Sequence, residues 1–247
     1  MSTAGSSPLD RFAVAGRIVC VTGASSGIGA HLAQVFAAAG AQVVGVARRE
    51  IADMASVTAD LADLDAIPAT AARIADVFGP PEILINAAGV NLRQTADAVS
   101  LDGWRATLDL NLAAPFFLAQ ALVPGMRAGG WGRILNFASL QTERAFPGGL
   151  AYGASKGGVG QLTRAMAEAW SRDGITANAL APGFFPTELT GPVFEDPERA
   201  ARNAAQTCVG RNGALADLEG PTLFFCSPAA DYVTGQVLFV DGGFTAK

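Results

Sequence analysis

Short apolar segments alternate along this chain with longer stretches in which alanine and other helix formers predominate. The segments that predict strands are 17–22, 42–47, 56–59, 82–86, 133–138, 175–180 and 236–240. The stretches that predict helices are 28–39, 65–78, 104–127 and 151–172. The strand segments are continuous Val, Ile and Leu runs, which is typical of strands covered on both faces. The pattern predicts an α/β fold with a single doubly wound parallel sheet of Rossmann type and helices on both faces.

Two segments depart from this alternation of predicted strands and helices. Residues 1–10 are small and polar, and they predict a flexible arm ahead of a single domain at 11–247. Between 184 and 217, Pro186, Gly191, Pro192 and Pro197 interrupt the helical pattern. A long irregular segment after a strand is often a lid over a substrate site, so we expect a lid at about 184–217. A mobile surface loop is the alternative.

Composition narrows the classes of function. Half of the 247 residues are hydrophobic and 16% are charged, which is enough apolar material for a large core. The net charge of −5 argues against nucleic acid or an anionic membrane as a partner. No apolar run approaches ~18 residues, so no membrane-spanning helix is expected. The first residues lack the basic and apolar regions of a signal peptide, and we expect a cytoplasmic protein.

Metal and disulfide chemistry are disfavoured. The three cysteines, Cys20, Cys208 and Cys226, are far apart and form no Cys-x-x-Cys pair. His31 is the single histidine, so neither a His/Cys metal cluster nor a histidine-dependent triad is predicted.

A glycine-rich turn follows the first predicted strand and begins the first predicted helix. Glycine allows the backbone to approach a phosphate closely, and a helix N-terminus offers free N–H groups with a partial positive charge. Strand, turn and helix stand in the order that dinucleotide binding requires, so we predict a pyrophosphate site here. Its predicted residues are Gly23, Ser25, Ser26, Gly27, Ile28 and Gly29.

The end of the second predicted strand indicates which cofactor binds. An acidic residue there would bind the ribose 2′-hydroxyl of NAD, whereas arginine suits the 2′-phosphate of NADP. This chain has Ala47 followed by Arg48 and Arg49. We therefore expect NADP(H) to be favoured, with NAD(H) possible.

Tyr152 and Lys156 are four residues apart at the start of a predicted helix, so they share one face. A fixed ammonium beside a phenol makes tyrosine a useful acid or base near neutral pH. Lowering a tyrosine pKa from ~10 to ~7 takes roughly 4 kcal/mol. A unit charge ~4 Å away at an effective dielectric of ~20 supplies about that much. Alone, the spacing is common on solvated helix faces.

Taken together, the motifs resemble the short-chain dehydrogenase/reductase family over nearly the whole chain, from Gly16 to Phe244. They are Thr22-Gly-x-x-x-Gly-Ile-Gly29, Asn86-Ala-Ala-Gly89, Asn111, Ser139, Tyr152-x-x-x-Lys156 and Pro182-Gly183. The resemblance implies a seven-stranded sheet, usually in a tetramer.

The resemblance also implies roles for these residues. Tyr152 would exchange a proton with the substrate oxygen, and Lys156 would lower the pKa of Tyr152 and hold the nicotinamide ribose. Ser139 would orient the substrate carbonyl, and Asn111 would hold a water that joins Lys156 to solvent. Further cofactor contacts would come from Asp60, Leu61, Asn86, Ala87, Ala88, Gly89, Pro182, Gly183 and Thr187.

Pro115 lies four residues after Asn111 and has no N–H to donate. In a continuous helix the carbonyl of Asn111 would lose its partner and the helix would kink. We hypothesise that this carbonyl holds the relay water.

The substrate is less constrained than the reaction, because one fold serves many substrates. The stretches 89–93, 181–190 and 217–235 resemble sugar-acid dehydrogenases of the gluconate 5-dehydrogenase and 2-deoxygluconate 3-dehydrogenase type, although Leu92 stands where a second arginine often occurs. Arg93 would then bind a substrate carboxylate, and the alternative is that it is an exposed loop arginine. A sugar acid or polyol-like substrate is expected. The other candidate substrate contacts are Gln141, Phe146 and Phe184.

Three alternatives stay open. Phe146, Phe184 and Phe185 would also suit a more apolar substrate such as a 3-oxoacyl thioester, as in the carrier-protein reductases. A non-catalytic dinucleotide sensor would be expected to lose Tyr152 or Lys156, and a methyltransferase gives no reason for Ser139.

For assembly, the apolar helices 104–126 and 152–170 predict a symmetric interface in a homotetramer or dimer, with a second contact from the tail 240–244.

Overall fold

The computed structural model describes residues 7–247, and its centre is one seven-stranded parallel sheet. The strand order is β3-β2-β1-β4-β5-β6-β7. The strands are β1 (Ile18–Thr22), β2 (Gln42–Ala47), β3 (Ser56–Thr58), β4 (Ile83–Asn86), β5 (Gly132–Phe137), β6 (Ile175–Pro182) and β7 (Val237–Val240). The order reverses between β1 and β4, and such a reversal opens a crevice at the carboxyl ends of the strands.

Eight α-helices accompany the sheet in the described part of the chain. They are α1 (Gly27–Ala38), α2 (Ile67–Phe78), α3 (Leu101–Leu108), α4 (Ala114–Gly129), α5 (Leu150–Trp170), α6 (Gly191–Phe194), α7 (Pro197–Gln206) and α8 (Glu219–Phe225). Buried residues of α2, α4 and α5 share one core with one face of the sheet. Buried residues of α1 and α8 share the other core. The predicted doubly wound fold is therefore confirmed.

Strand β1 shows why helices cover both faces of the sheet. Its neighbouring residues Val19, Cys20 and Val21 are all 0% exposed, with Cys20 in one core and the two valines in the other. Consecutive strand residues point to opposite faces, so a strand with apolar residues at every position must have a helix layer on each side.

The predicted helix 104–127 is interrupted. A wide turn over Asp109–Ala113 separates α3 from α4, and in it the N–H of Ala114 donates to the carbonyl of Asp109, five residues earlier. Pro115 follows and cannot donate, so the α-helical pattern is broken where the sequence predicted a kink. Helix α8 was not predicted, because Gly220 and Pro221 near its start obscured the helical pattern.

Together, α3, the wide turn and α4 form the stretch Leu101–Gly129, which is long and apolar enough to cross a membrane by length and composition alone. It is not an uninterrupted apolar run, because Arg105, Asp109 and Asn111 lie within it, and the expectation that no helix spans a membrane stays a prediction. A core helix passes the same test, and in this fold Leu118, Leu122 and Met126 of the stretch are buried in the core.

The two predicted irregular segments have local structure. Residues 1–6 of the predicted arm lie outside the described part of the chain, and a 3-10 helix over Pro8–Phe12 follows. The predicted lid region contains the short helices α6 and α7. Its designation as a lid stays a prediction.

At the amino ends of the strands lies a charged cluster, on the edge opposite the crevice. Arg133 of β5 is 1% exposed and donates hydrogen bonds to Asp231 and to the carbonyl of Ser227. The guanidinium carbons of Arg133 and Arg17 lie 4.1 and 4.0 Å from the centre of the Trp131 ring. Arg11 also donates to Asp231, which ties the chain start to the segment before β7.

Candidate active site

A cavity of about 340 Å³ opens at the carboxyl ends of the strands, where the strand order reverses. Segments that are distant in sequence meet there because each follows a strand or begins the next helix. The predicted residues that line it are Gly23, Ser26, Gly27, Ile28, Gly29, Ala87, Ala88, Gly89, Arg93, Ser139, Gln141, Phe146, Tyr152, Lys156, Pro182, Gly183, Phe184 and Thr187. Most of the predicted site is therefore brought together.

The turn between β1 and α1 forms one end of the cavity. A Cβ on Gly29 would lie 2.4 Å from the carbonyl oxygen of Gly23, so this approach requires glycine. Ser26 is the N-cap of α1, and its side chain makes no capping hydrogen bond. The helix therefore begins with N–H groups that no side chain caps, next to a cavity, which fits the phosphates of a dinucleotide.

Tyr152 and Lys156 lie in the first turns of α5 and line the cavity together with Ser139. The Lys156 Nζ is 5.6 Å from the centre of the Tyr152 ring and donates a 2.5 Å hydrogen bond to the carbonyl of Phe137. Ser139 lies two residues after the end of β5, and its hydroxyl accepts a hydrogen bond from the N–H of Gln141. The phenol, hydroxyl and ammonium thus converge at one place.

The pKa of Tyr152 is shifted in the direction opposite to the predicted one. Burial raises the pKa of Tyr152, while a hydrogen bond with Ser139 and the charge of Arg93 act in the opposite direction. Burial lowers the pKa of Lys156 to about 8. In the protein alone the pKa of Tyr152 is therefore above its ordinary value and not below it, because desolvation outweighs the favourable contacts. The groups that oppose burial are Ser139 and Arg93, since Lys156 is directed at Phe137.

Asn111 is 1% exposed and its amide is occupied by protein partners. Its Nδ2 donates to the carbonyl of Val90 at 2.9 Å and to Ser155 Oγ at 3.1 Å, and its Oδ1 accepts from the N–H of Val90 at 2.8 Å. The side chain therefore positions the loop after β4 beside α5. A relay water would therefore have to bind a group other than this side chain. The hypothesis that the main-chain carbonyl of Asn111 holds the water stays a prediction.

The opposite end of the cavity carries a cation and an aromatic wall. Arg93 has φ of 53°, which is unusual for a residue other than glycine, and its guanidinium donates to the carbonyl of Leu189 at 2.9 Å. The rings of Phe146 and Phe184 meet edge to face with centroids 6.0 Å apart. The Oε1 atom of Gln141 is buried and lacks a hydrogen-bond partner among the described residues.

Comparison with known proteins agrees with this geometry. Residues 23–245 match the family model described as "Enoyl-(Acyl carrier protein) reductase". Gluconate 5-dehydrogenase of Gluconobacter oxydans (strain 621H) is 39% identical over 96% of this chain and 98% of its own. The chain belongs to the short-chain dehydrogenase/reductase family. The family that the motifs suggested is thus confirmed.

Further relatives support the same enzyme class. 2-Dehydro-3-deoxy-D-gluconate 5-dehydrogenase of Escherichia coli (strain K12) is 37% identical over 97% of this chain and 99% of its own. The crystal structure of a gluconate 5-dehydrogenase from Burkholderia cenocepacia J2315, in complex with NADP and tartrate, superposes with a TM-score of 0.92. It is 38% identical and covers 98% of this chain and 100% of that one. The predicted oxidoreductase class is confirmed, and the predicted NADP agrees with this relative's ligand.

The predicted cofactor residues that do not line the cavity of this short-chain dehydrogenase/reductase are Ser25, Arg48, Arg49, Asp60, Leu61 and Asn86. Arg49 lies beside the phosphate-binding turn, where it donates to the carbonyl of Ser25 at 3.1 Å and approaches the Glu188 carboxylate at 4.0 Å. Arg48 and Asp60 are exposed. Their contacts with the cofactor stay predictions.

Two of these residues have internal partners. Leu61 is 6% exposed, and its side chain packs in the hydrophobic core. Asn86 is 4% exposed and donates to Asn136 Oδ1 at 2.9 Å. Their side chains therefore stabilise the fold, and of the predicted segment 86–89 only Ala87, Ala88 and Gly89 face the cavity.

Sequence reasoning missed several residues of the cavity wall. They are Asn91, Phe137, Ala138, Leu140, Pro147, Gly148, Glu188, Leu189, Thr190, Val193, Arg199 and Asn203. Arg199 and Asn203 are four residues apart on α7, so they share the helix face that meets the cavity. No motif marks them, and the prediction of a lid at 184–217 was the one signal that pointed to this region. Among residues 7–247 no cluster of metal-ligating side chains occurs.

Proposed function

We propose that this protein is an NADP(H)-preferring oxidoreductase that interconverts a secondary alcohol and a ketone on a sugar acid or polyol-like substrate. The observation that carries the proposal is the convergence of Ser139, Tyr152 and Lys156 in the cavity that also contains the uncapped N-terminus of α1. The bound nicotinamide would supply or accept the hydride. The protein's own task is to orient the substrate oxygen and to move one proton.

The side chains divide this task. Ser139 donates a hydrogen bond that orients the substrate oxygen, and the Tyr152 hydroxyl exchanges the proton with it. Because burial raises the pKa of Tyr152, the phenol is protonated at neutral pH and is ready to act as the acid during ketone reduction. Lys156 lies on the same helix face as Tyr152, where its ammonium can hold the cofactor's ribose hydroxyls.

A carboxylate on the substrate is supported by Arg93. Its charge acts on Tyr152, so it lies within electrostatic reach of the reacting oxygen. Arginine pairs with carboxylates through charge-assisted hydrogen bonds. The relatives named for gluconate and 2-dehydro-3-deoxy-D-gluconate, and the tartrate in the Burkholderia structure, are of the same chemical class.

A 3-oxoacyl thioester is the second candidate substrate. The half-buried rings of Phe146 and Phe184 and the carrier-protein wording of the family description favour it. A dinucleotide sensor is less well supported, because this chain retains Ser139, Tyr152 and Lys156 together in one cavity.

The test is a screen of initial rates with sugar acids, polyols of the same length, cyclic ketones and acetoacetyl thioesters, using NADP(H) and NAD(H). Arg93→Met should raise the KM for a sugar acid about tenfold or more and leave the KM for the matched polyol nearly unchanged. Arg105→Met is the control, because Arg105 is exposed on α3 and does not line the cavity. Acetoacetyl thioester as the best substrate would reject the sugar-acid proposal. NADPH binding without any turnover would indicate a sensor.

We also propose a homotetramer or dimer built on α4 and α5. Phe117 of α4 is 41% exposed, and Phe116 stacks on Trp170 of α5 with centroids 6.3 Å apart. Such an aromatic patch on adjacent helices suits a symmetric contact. Light scattering at micromolar concentration tests it, and a monomer would refute it. Phe244, expected in a second contact, is 4% exposed within its own chain. Cytoplasmic localisation stays a prediction.

A further inference from the structure

The segment 241–247, which we call the tail, follows β7 and packs against the aromatic wall of the cavity. The Phe244 ring is 5.7 Å from the Phe184 ring and 6.2 Å from the Phe146 ring, measured between centroids. Phe146 and Phe184 line the cavity, whereas Phe244 does not. Phe244 is therefore the third member of an aromatic trio and supports the two rings that a substrate would meet.

The tail is also bound to the end of α7, which lies in the predicted lid region. Lys247 Nζ donates to the carbonyls of Thr207 and Ala205, at 2.9 and 3.3 Å. A cation at a helix C-terminus is favourable, because the last carbonyls carry partial negative charge. The carbonyl of Gly242 in turn accepts from the N–H groups of Cys208 and Val209, at 2.8 and 3.1 Å.

The tail is held in shape by its own first residue. The Asp241 carboxylate accepts hydrogen bonds from the N–H of Gly243 at 2.9 Å, from the N–H of Thr245 at 2.9 Å and from the hydroxyl of Thr245 at 2.7 Å. These bonds fold the tail into a compact turn.

We propose that the tail is a substrate-positioning element, in which Phe244 sets the positions of Phe146 and Phe184 and Lys247 fixes the end of α7. Helix α7 carries Arg199 and Asn203 into the cavity wall, so the tail acts on both sides of the substrate. It touches neither the reacting atoms nor the phosphate-binding turn. The identity of the substrate rests on the proposed function, but the coupling of tail and lid does not.

Phe244→Leu tests whether Phe244 sets the positions of the two cavity rings, with Phe225→Leu as a matched control. Both residues are 4% exposed, but the aromatic neighbour of Phe225 is Phe224, which does not line the cavity. Phe244→Leu should raise the substrate KM about tenfold through the loss of two aromatic contacts, with kcat and the NADPH Kd nearly unchanged. Phe225→Leu should lower the thermal midpoint without changing KM. A Phe244→Leu protein that only loses thermal stability would overturn the positioning role.

Lys247→Met tests the lid half in the full chain without any substrate. We expect the amides of α7 to exchange hydrogen faster in Lys247→Met than in the wild-type protein, and Lys247→Arg to restore their protection. Equal protection in Lys247→Met and wild type would overturn the coupling. If exchange responds but no sugar acid or polyol is turned over, the proposed substrate is wrong and the coupling stands.

Discussion

The buried ammonium of Lys156 makes a quantitative prediction about stability. Lys156 is 5% exposed, and burial lowers its pKa from 10.5 to about 8. A pKa shift of this size corresponds to about 3 kcal/mol of folding stability that is lost while the side chain is charged. The hydrogen bond to the Phe137 carbonyl returns about 1 kcal/mol. The fold therefore holds this ammonium at a net cost in stability, and the role proposed for Lys156 at the cofactor ribose explains why the group is kept.

The sign of the pH dependence follows from the two pKa values. Below pH 8 Lys156 is charged in both states, and the full cost of its burial is present. Between about pH 8 and its ordinary value near 10.5, the unfolded chain binds a proton that the native protein has released. Stability therefore rises with pH across this window. Lys156→Met keeps an apolar side chain of similar length and removes the titration.

The assay is urea unfolding of the wild-type protein and Lys156→Met at one protein concentration, from pH 7 to pH 10. Other groups titrate alike in both proteins, so the difference between the two unfolding free energies isolates Lys156. At pH 7 the Lys156→Met variant should be at least as stable as the wild-type protein. Towards pH 10 the wild type should gain about 2.5 kcal/mol on the variant. A difference that stays constant or moves the other way would refute the reasoning.

Two further predictions concern the cofactor and the fold. Arg48→Asp and Arg49→Asp should each lower the NADP/NAD ratio of kcat/KM. The ratio should fall about tenfold or more for the residue that binds the 2′-phosphate. An unchanged ratio in both variants would show that neither residue binds the 2′-phosphate. Asp231→Ala should lower the urea unfolding free energy by about 2 kcal/mol, because it leaves the buried Arg133 without its carboxylate. Asp97→Ala, at an exposed position, is the control, and an equal loss in both would contradict this role for Asp231.

Local sequence determines much of this fold. The strands are found within one or two residues of their predicted bounds, because runs such as Val19, Cys20 and Val21 require burial on both faces. The glycine turn and the Tyr152/Lys156 pair were also predictable. Their chemistry depends on spacing within one turn or one helix, which a sequence displays directly.

What the sequence could not show depends on distant contacts. Arg199 and Asn203 reach the cavity because α7 folds back over it, and Phe244 reaches Phe184 from the far end of the chain. The raised pKa of Tyr152 has the same origin. The prediction weighed the charge of one neighbour in the sequence, whereas burial by the surrounding protein is the larger effect.

The most direct test of the proposed function is the Tyr152→Phe variant, which removes one oxygen atom and keeps the ring. NADPH affinity is measured by fluorescence titration, and kcat/KM is measured with the best substrate of the screen. We predict an NADPH Kd close to that of the wild-type protein and a kcat/KM reduced by about 10² to 10⁴, the usual contribution of a positioned acid or base. Near wild-type kcat/KM in this variant would contradict the assignment of Tyr152 as the proton-transfer residue and with it the proposed mechanism.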